Sequence, residues 1–246
     1  MLVNSLDELN GMTDWFADST RSVSDNTGPF VVVKDYFYRN PEEIRALALR
    51  QEFVQYSPPL PEQVGEELAA QYSDNARVLS TSLYSFTGKR VLHPVEGFRY
   101  NSQWLRLKLS RLLNETISTG SWKWGGDWWN GAFHLRERGE SLSSIHHHYK
   151  KGDVEPRGWS GVVYLSPDGE TRSGTSVWRS RTTRLCVAGY GSEFHSDVAN
   201  FDLAYLVENR FNRLVLFREN VLHRAERGFG LGKDSRLVQT FFFSTA

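Results

Sequence analysis

The sequence predicts a mainly β protein, a sandwich or barrel whose helices come from the N-terminal half. Three observations predict it. Beyond Gly120, the short β-type runs WSGVVYL, GTSVWRS, NRLVLFR and RLVQTFFFS alternate with turns rich in Gly, Pro, Asp and Asn. The chain carries 8 Trp, 10 Tyr and 15 Phe, residues that suit a pleated, half-buried surface. Two amphipathic helical stripes precede that β region. With no internal repeat or low-complexity tract, residues 29–246 are expected to form one domain. Residues 1–28, ending in the polar stretch STRSVSDNTGP, are expected to be a loosely held segment.

FVVVKDYF at 30–37 has the β-branched and aromatic content of a buried strand. Asn40-Pro41-Glu42-Glu43 then starts a helix, with a cap residue, a proline in the first turn and two acids at the positive dipole end. That helix is expected to run to Phe53 with Ile44, Leu47 and Ala48 inward. Residues 57–78 read as loop, with a short helical candidate at PEQVGEELAAQY. A second helix is expected over 102–117, its stripe formed by Leu105, Leu109, Leu112 and Leu113.

Twenty-nine basic and 29 acidic side chains cancel, which gives no long-range pull toward nucleic acid or an anionic membrane. A single cysteine, Cys186, excludes an intramolecular disulfide and fits a reducing compartment; within RLCVAG it reads as an inert core thiol. The start MLVNSLDELNGM has neither a basic n-region nor a long apolar h-region. No apolar run approaches the roughly 20 residues that span a bilayer. The expectation is a cytoplasmic protein.

Chemistry concentrates in SSIHHHYKKGD, 143–153. Successive side chains of a strand alternate faces, so His146 and His148 share one face and His147 takes the other. Imidazoles at i and i+2 can chelate one metal from a strand end, and His223, after the apolar run NRLVLF, is the obvious third donor. The competing reading is a set of solvated or hydrogen-bonded histidines. Imidazole suits iron, zinc, copper or nickel alike. The cluster WKWGGDWW at 122–129 reads as core or rim. His93, His134 and His195 show no partner pattern.

The ordered set VVVKDYFYRNPEEIRALAL, SIHHH, GWSGVVYLSPDGETRSGTSVWR, NRLVLFRENVLHRAERGFG and RLVQTFFF resembles the iron(II)/2-oxoglutarate oxygenases, in particular a branch related to the prolyl-4-hydroxylase-like group. The resemblance spans most of 30–245 and is weak around 57–125. It implies a distorted double-stranded β-helix, or jelly roll, with helices outside the major sheet. It implies Fe(II) as cofactor, 2-oxoglutarate as cosubstrate, and hydroxylation by O₂ of a small molecule or peptide side chain. His146 and His223 would be iron ligands. Arg236, with a planar fork suited to carboxylates, would hold the C5 carboxylate, with the Tyr164 hydroxyl beside it. Trp178, Arg179, Arg224 and Arg227 are candidates for the pocket, and Arg224 and Arg227 rival Arg236 for the carboxylate. His147, on the opposite face by alternation, is expected to hydrogen-bond a backbone carbonyl or to brace a neighbouring ligand.

The chain departs from the family at the middle ligand, where His148 stands in place of an acid and Asp153 is a distant carboxylate. A neutral imidazole leaves the centre more cationic. Two further functions therefore compete. One is a three-histidine dioxygenase independent of 2-oxoglutarate. The other is a jelly-roll binding protein whose metal site has lapsed.

Overall fold

The computed structural model describes residues 20–25, 28–55, 79–86, 92–95, 97–124, 129–138, 144–148, 158–188, 194–195 and 197–246. The helical candidate at 61–72, Asp153 and residues 1–19 lie outside them. The strands, in chain order, are β1 (Thr20–Asp25), β2 (Gly28–Lys34), β3 (Val54–Gln55), β4 (Leu79–Ser80), β5 (Leu83–Phe86), β6 (Leu92–Val95), β7 (Phe133–Arg136) and β8 (Ile145–His146). They continue with β9 (Gly158–Tyr164), β10 (Thr175–Ser180), β11 (Phe194–His195), β12 (Phe201–Val207), β13 (Leu214–Arg218), β14 (His223–Ala225) and β15 (Arg236–Ser244).

Eight strands form a large sheet in the order β1-β2-β13-β9-β15-β7-β4-β3. Five form a small sheet, β11-β8-β14-β10-β12, and β5 pairs with β6. Alternation gives each strand of the large sheet two destinations. Leu237, Phe241 and Phe243 of β15 join Val163, Leu214 and Leu216 on the outer face. There they meet Ile44 and Leu47 of α1 (Pro41–Leu49), Leu105 and Leu109 of α2 (Gln103–Leu113), and Trp122 of α3 (Thr119–Trp124). On the inner face, Val31, Tyr164, Val215, Phe217 and Val238 pack against Val177, Val207 and Val221 of the small-sheet side. From β7 to β15 the chain passes repeatedly between the two sheets, all pairs being antiparallel. The result is the distorted double-stranded β-helix, with helices outside the large sheet.

Several boundaries differ from expectation for local reasons. Residues 20–25 pair with β2 as an edge strand. β2 stops at Lys34 because Tyr36 adopts a left-handed φ of 57°. α1 begins at Pro41 and buries Ile44, Leu47 and Ala48, but it ends at Leu49, four residues before Phe53; Asn40 makes no side-chain cap. α2 is bounded by Ser102, whose side chain accepts from Leu105 N at 3.2 Å, and by Asn114 at φ 54°. α3, in a stretch of β-like composition, exists because tertiary packing outweighs propensity. Its Trp122 ring lies 6.0 Å from Phe241 and 5.8 Å from Phe243. Cys186 is half-buried in a bend beside the isolated bridge Val187–Val221, not in a strand core.

One ion pair ties the end of β2 to the start of β13. Arg213 Nε and Nη2 donate to Asp35 Oδ1 at 2.5 Å and Oδ2 at 3.0 Å, a bidentate geometry. The hydrogen bonds from Arg213 hold the Asp35 carboxyl below its ordinary value, against partial burial, with Arg213, Arg21 and Arg210 charges assisting. A depressed folded-state pKa contributes stability that is present above the ordinary carboxylate range and lost as pH falls through the folded value. Asp35→Asn is therefore expected to flatten the acid limb of a stability-versus-pH curve. Phe241 is fully buried between Phe37 and Trp122. Phe241→Ala is expected to lower the free energy of unfolding by about 3–5 kcal/mol in chemical denaturation.

Candidate metal centre

His223 opens β14 and pairs directly with His146, the last residue of β8. Residues directly opposite in a ladder project to the same side, so the pairing itself brings the two imidazoles together. Their ring centroids are 4.3 Å apart. His148 lies two residues past the strand end, on the same side by alternation. Its backbone N–H donates to Glu219 O at 2.6 Å, in the turn between β13 and β14. Its ring is 5.1 Å from that of His146 and 4.9 Å from that of His223. One nitrogen from each of the three lies within 4.8 Å of the others. Imidazoles bound to one ion at roughly 2.1 Å reach that arrangement with small side-chain rotations. Among the described residues no carboxylate joins the group.

Two of the three rings are oriented by backbone carbonyls. His146 Nδ1 is 2.9 Å from Ser144 O, and His223 Nδ1 is 2.8 Å from Val221 O. A carbonyl only accepts, so each Nδ1 carries the hydrogen and each Nε2 keeps its lone pair for a ligand bond. His223 is buried, with Phe217 against it at 4.1 Å between centroids. Burial, followed by the nearby His146 and His148, pushes its pKa well below the usual histidine value, which keeps the ring neutral. His146 and His148 are half-buried, and the Phe242 ring stands 5.4 Å from His148.

The other sequence candidates divide between the faces. Arg236 and Tyr164 lie on the inner side of the large sheet, with the Arg236 guanidinium 5.6 Å from the Tyr164 ring centre. Arg236 Nε donates to Ser173 O at 2.5 Å and Nη2 to Gly174 O at 3.2 Å. The Tyr164 hydroxyl is 2.7 Å from Thr175 Oγ1, and burial raises its pKa, so it stays protonated. Thr175 is two residues from Val177, the partner of His223 on β10, a distance of about 7 Å along a strand.

Trp178 and Arg224 face the opposite way. Trp178 packs with Ile145, Phe201 and Leu222, the sequence neighbours of His146 and His223 among them. The Arg224 guanidinium sits 4.7 Å above the Trp178 ring and pairs with Glu226 at 3.1 Å. These two residues do not share the side of the small sheet on which the imidazoles converge, because odd and even positions of β10 and β14 project oppositely. Arg179 is half-buried and Arg227 exposed. His147 is buried.

The interior also holds two residues that the sequence did not single out for a role. His134 and Arg136 of β7 are buried, and their neighbours Phe133 and Leu135 belong to the outer core. His134 is paired in register with Val238 of the inner core. Burial, and then the Arg236 charge, lowers the His134 pKa to about 3. The signal available was period-two alternation within AFHLR, which places a polar residue between two apolar ones.

No protein-family model and no curated protein matches the sequence. Among solved structures, the chain is similar to HygX from Streptomyces hygroscopicus. The form with nickel, 2-oxoglutarate and hygromycin B bound shows 13% identity over 87% of this chain and 82% of that one, with a TM-score of 0.48. The form with nickel and 2-oxoglutarate bound shows 15% identity over 95% and 87%, with a TM-score of 0.47. The non-heme alpha ketoglutarate dependent carbocyclase SnoK, from nogalamycin biosynthesis, shows 14% identity over 46% and 47%, with a TM-score of 0.31. Likeness at this level assigns neither cofactor nor reaction to this chain.

Proposed function

We propose that the protein is a non-haem Fe(II) oxygenase, 2-oxoglutarate-dependent and of hydroxylase type, acting on a small molecule or peptide side chain. The observation that carries this reading is the convergence of His146, His148 and His223, two of them with Nδ1 turned to a backbone carbonyl, which makes Nε2 the nitrogen with the lone pair. Iron bound there with 2-oxoglutarate and O₂ would supply the oxidation of an unactivated C–H bond. The chain's own residues supply the rest. The three imidazoles hold the ion, and the carbonyls of Ser144 and Val221 fix two of the rings. Phe217 and Phe242 stand against His223 and His148 and would limit water on those sides. Arg236, a buried guanidinium, would take the far carboxylate of the cosubstrate, with the protonated Tyr164 hydroxyl as neighbouring donor. His147, Arg179 and Arg227 have no assigned part in this scheme.

The absence of a carboxylate from the cluster, among the described residues, favours a second reading, a three-histidine dioxygenase that works without 2-oxoglutarate. One titration separates the two. Without O₂, Fe(II) followed by 2-oxoglutarate is expected to give the visible charge-transfer band of the chelate, and with O₂ and substrate to yield succinate. His223→Ala is expected to abolish the band and to weaken Fe(II) binding by more than the 10- to 100-fold typical of an outer partner. Tight Fe(II) binding with no band selects the second reading. Fe(II) affinity unchanged in His146→Ala and His223→Ala would remove the metal centre and leave a binding protein. Arg236→Gln is expected to raise the apparent 2-oxoglutarate Kd roughly 10- to 100-fold while leaving Fe(II) affinity as it was, measured by titrating the same band.

A further inference from the structure

A continuous wall leads from the third histidine into the interior. The His148 ring meets Phe242 at 5.4 Å, Phe242 lies 6.5 Å from Trp129, and Trp129 lies 4.9 Å from His134. The wall ends on an imidazole whose tautomer can be deduced. The Thr240 hydroxyl is 2.7 Å from Trp129 O and 3.4 Å from Ala132 O, both carbonyls that can only accept. Its single hydrogen is therefore committed to the backbone, and its oxygen is left to accept. His134 Nε2, 3.0 Å from that oxygen, must then be the donor. The lone pair falls on Nδ1, which is buried and has no hydrogen-bond partner among the described residues. Buried acceptors are satisfied in nearly all native structures, so one left open at the end of this line of rings calls for a donor.

We propose that His134 Nδ1 is the acceptor that docks the substrate, which presents a neutral hydroxyl or amide N–H there and lays a ring or other flat apolar group along Trp129 and Phe242. The chemistry of the site restricts the class. A carboxylate would set its own lone pairs against that of Nδ1. An ammonium would meet the Arg236 charge, which already acts on His134. A neutral donor meets neither objection, and the aromatic faces of the wall suit a flat apolar neighbour. This rests on the proposed iron centre, since the wall matters because it starts at His148.

Phenol and anisole present the same ring with and without a donor. Each is titrated by calorimetry into the Fe(II)- and 2-oxoglutarate-loaded protein without O₂, and the charge-transfer band is recorded in the same samples. The expected result is phenol binding at least about fivefold tighter than anisole, a difference within the range of one hydrogen bond. The preference is expected to vanish in His134→Phe and to persist in His134→Asn, which keeps an acceptor, with Fe(II) affinity unchanged in both. Equal binding of the two rings, no binding of either, or a preference that survives in His134→Phe would overturn the proposal. If His134→Phe does not fold, Thr240→Val decides. Without the Thr240 oxygen the ring is no longer held with its hydrogen on Nε2, and an undiminished preference would overturn the proposal. Absence of the band with the phenol preference intact would instead count against the 2-oxoglutarate reading alone.

Discussion

The antiparallel bridge between His146 and His223 is the constraint on which the candidate centre depends. Each residue ends or begins a very short strand, and neither strand has side chains enough to define a site alone. Being opposite in the ladder, the two rings must project together. The bridge is stabilised from both sides, by β10 against β14 and by β11 against β8. Phe217, from the large sheet, closes the space beneath. Sheet pairing, inter-sheet packing and ring geometry are thus one structure seen at three scales.

The same alternation sorts the polar residues. Arg236, Tyr164 and His134 are buried between the two sheets, where an unsatisfied polar group is expensive. Carbonyls answer Arg236, and hydroxyls answer Tyr164 and one edge of His134. On the far side of the small sheet, Arg224, Trp178, Ser176 and Glu226 form their own connected set, with Trp178 Nε1 donating to Ser176 Oγ at 2.7 Å and Ser176 Oγ to Glu226 at 2.6 Å. That set holds the outer surface of the strands that carry the imidazoles.

Much of this was legible from residue patterns, and the failures have identifiable causes. β15 was readable to its ends because RLVQTFFFS is rich in aromatic and β-branched residues and holds no Gly, Pro, Asp or Asn. Register was not readable. Nothing in the residues near 178 or 224 says which face of their strands meets the interior, so Trp178 and Arg224 looked like pocket residues. α3 was missed because its stability comes from Trp122 on Phe241 and Phe243, partners more than a hundred residues away. His134 was passed over because a single histidine on a strand acquires meaning only from Thr240 and Trp129, which the fold brings to it.

His146 and His223 are members of the ladder, so their backbones cannot shift without loosening the small sheet. His148 is placed differently. The strand has ended by then, and a backbone hydrogen bond to the Glu219 carbonyl positions the residue from outside the sheet. That bond uses the main chain and is indifferent to the side chain carried there. The fold thus ties position 146 into the ladder and leaves the side chain at 148 outside it. A change of donor at 148 alters the charge presented at the centre while leaving strand pairing untouched. Of the three imidazole positions, 148 is the one where the scaffold depends least on the side chain carried.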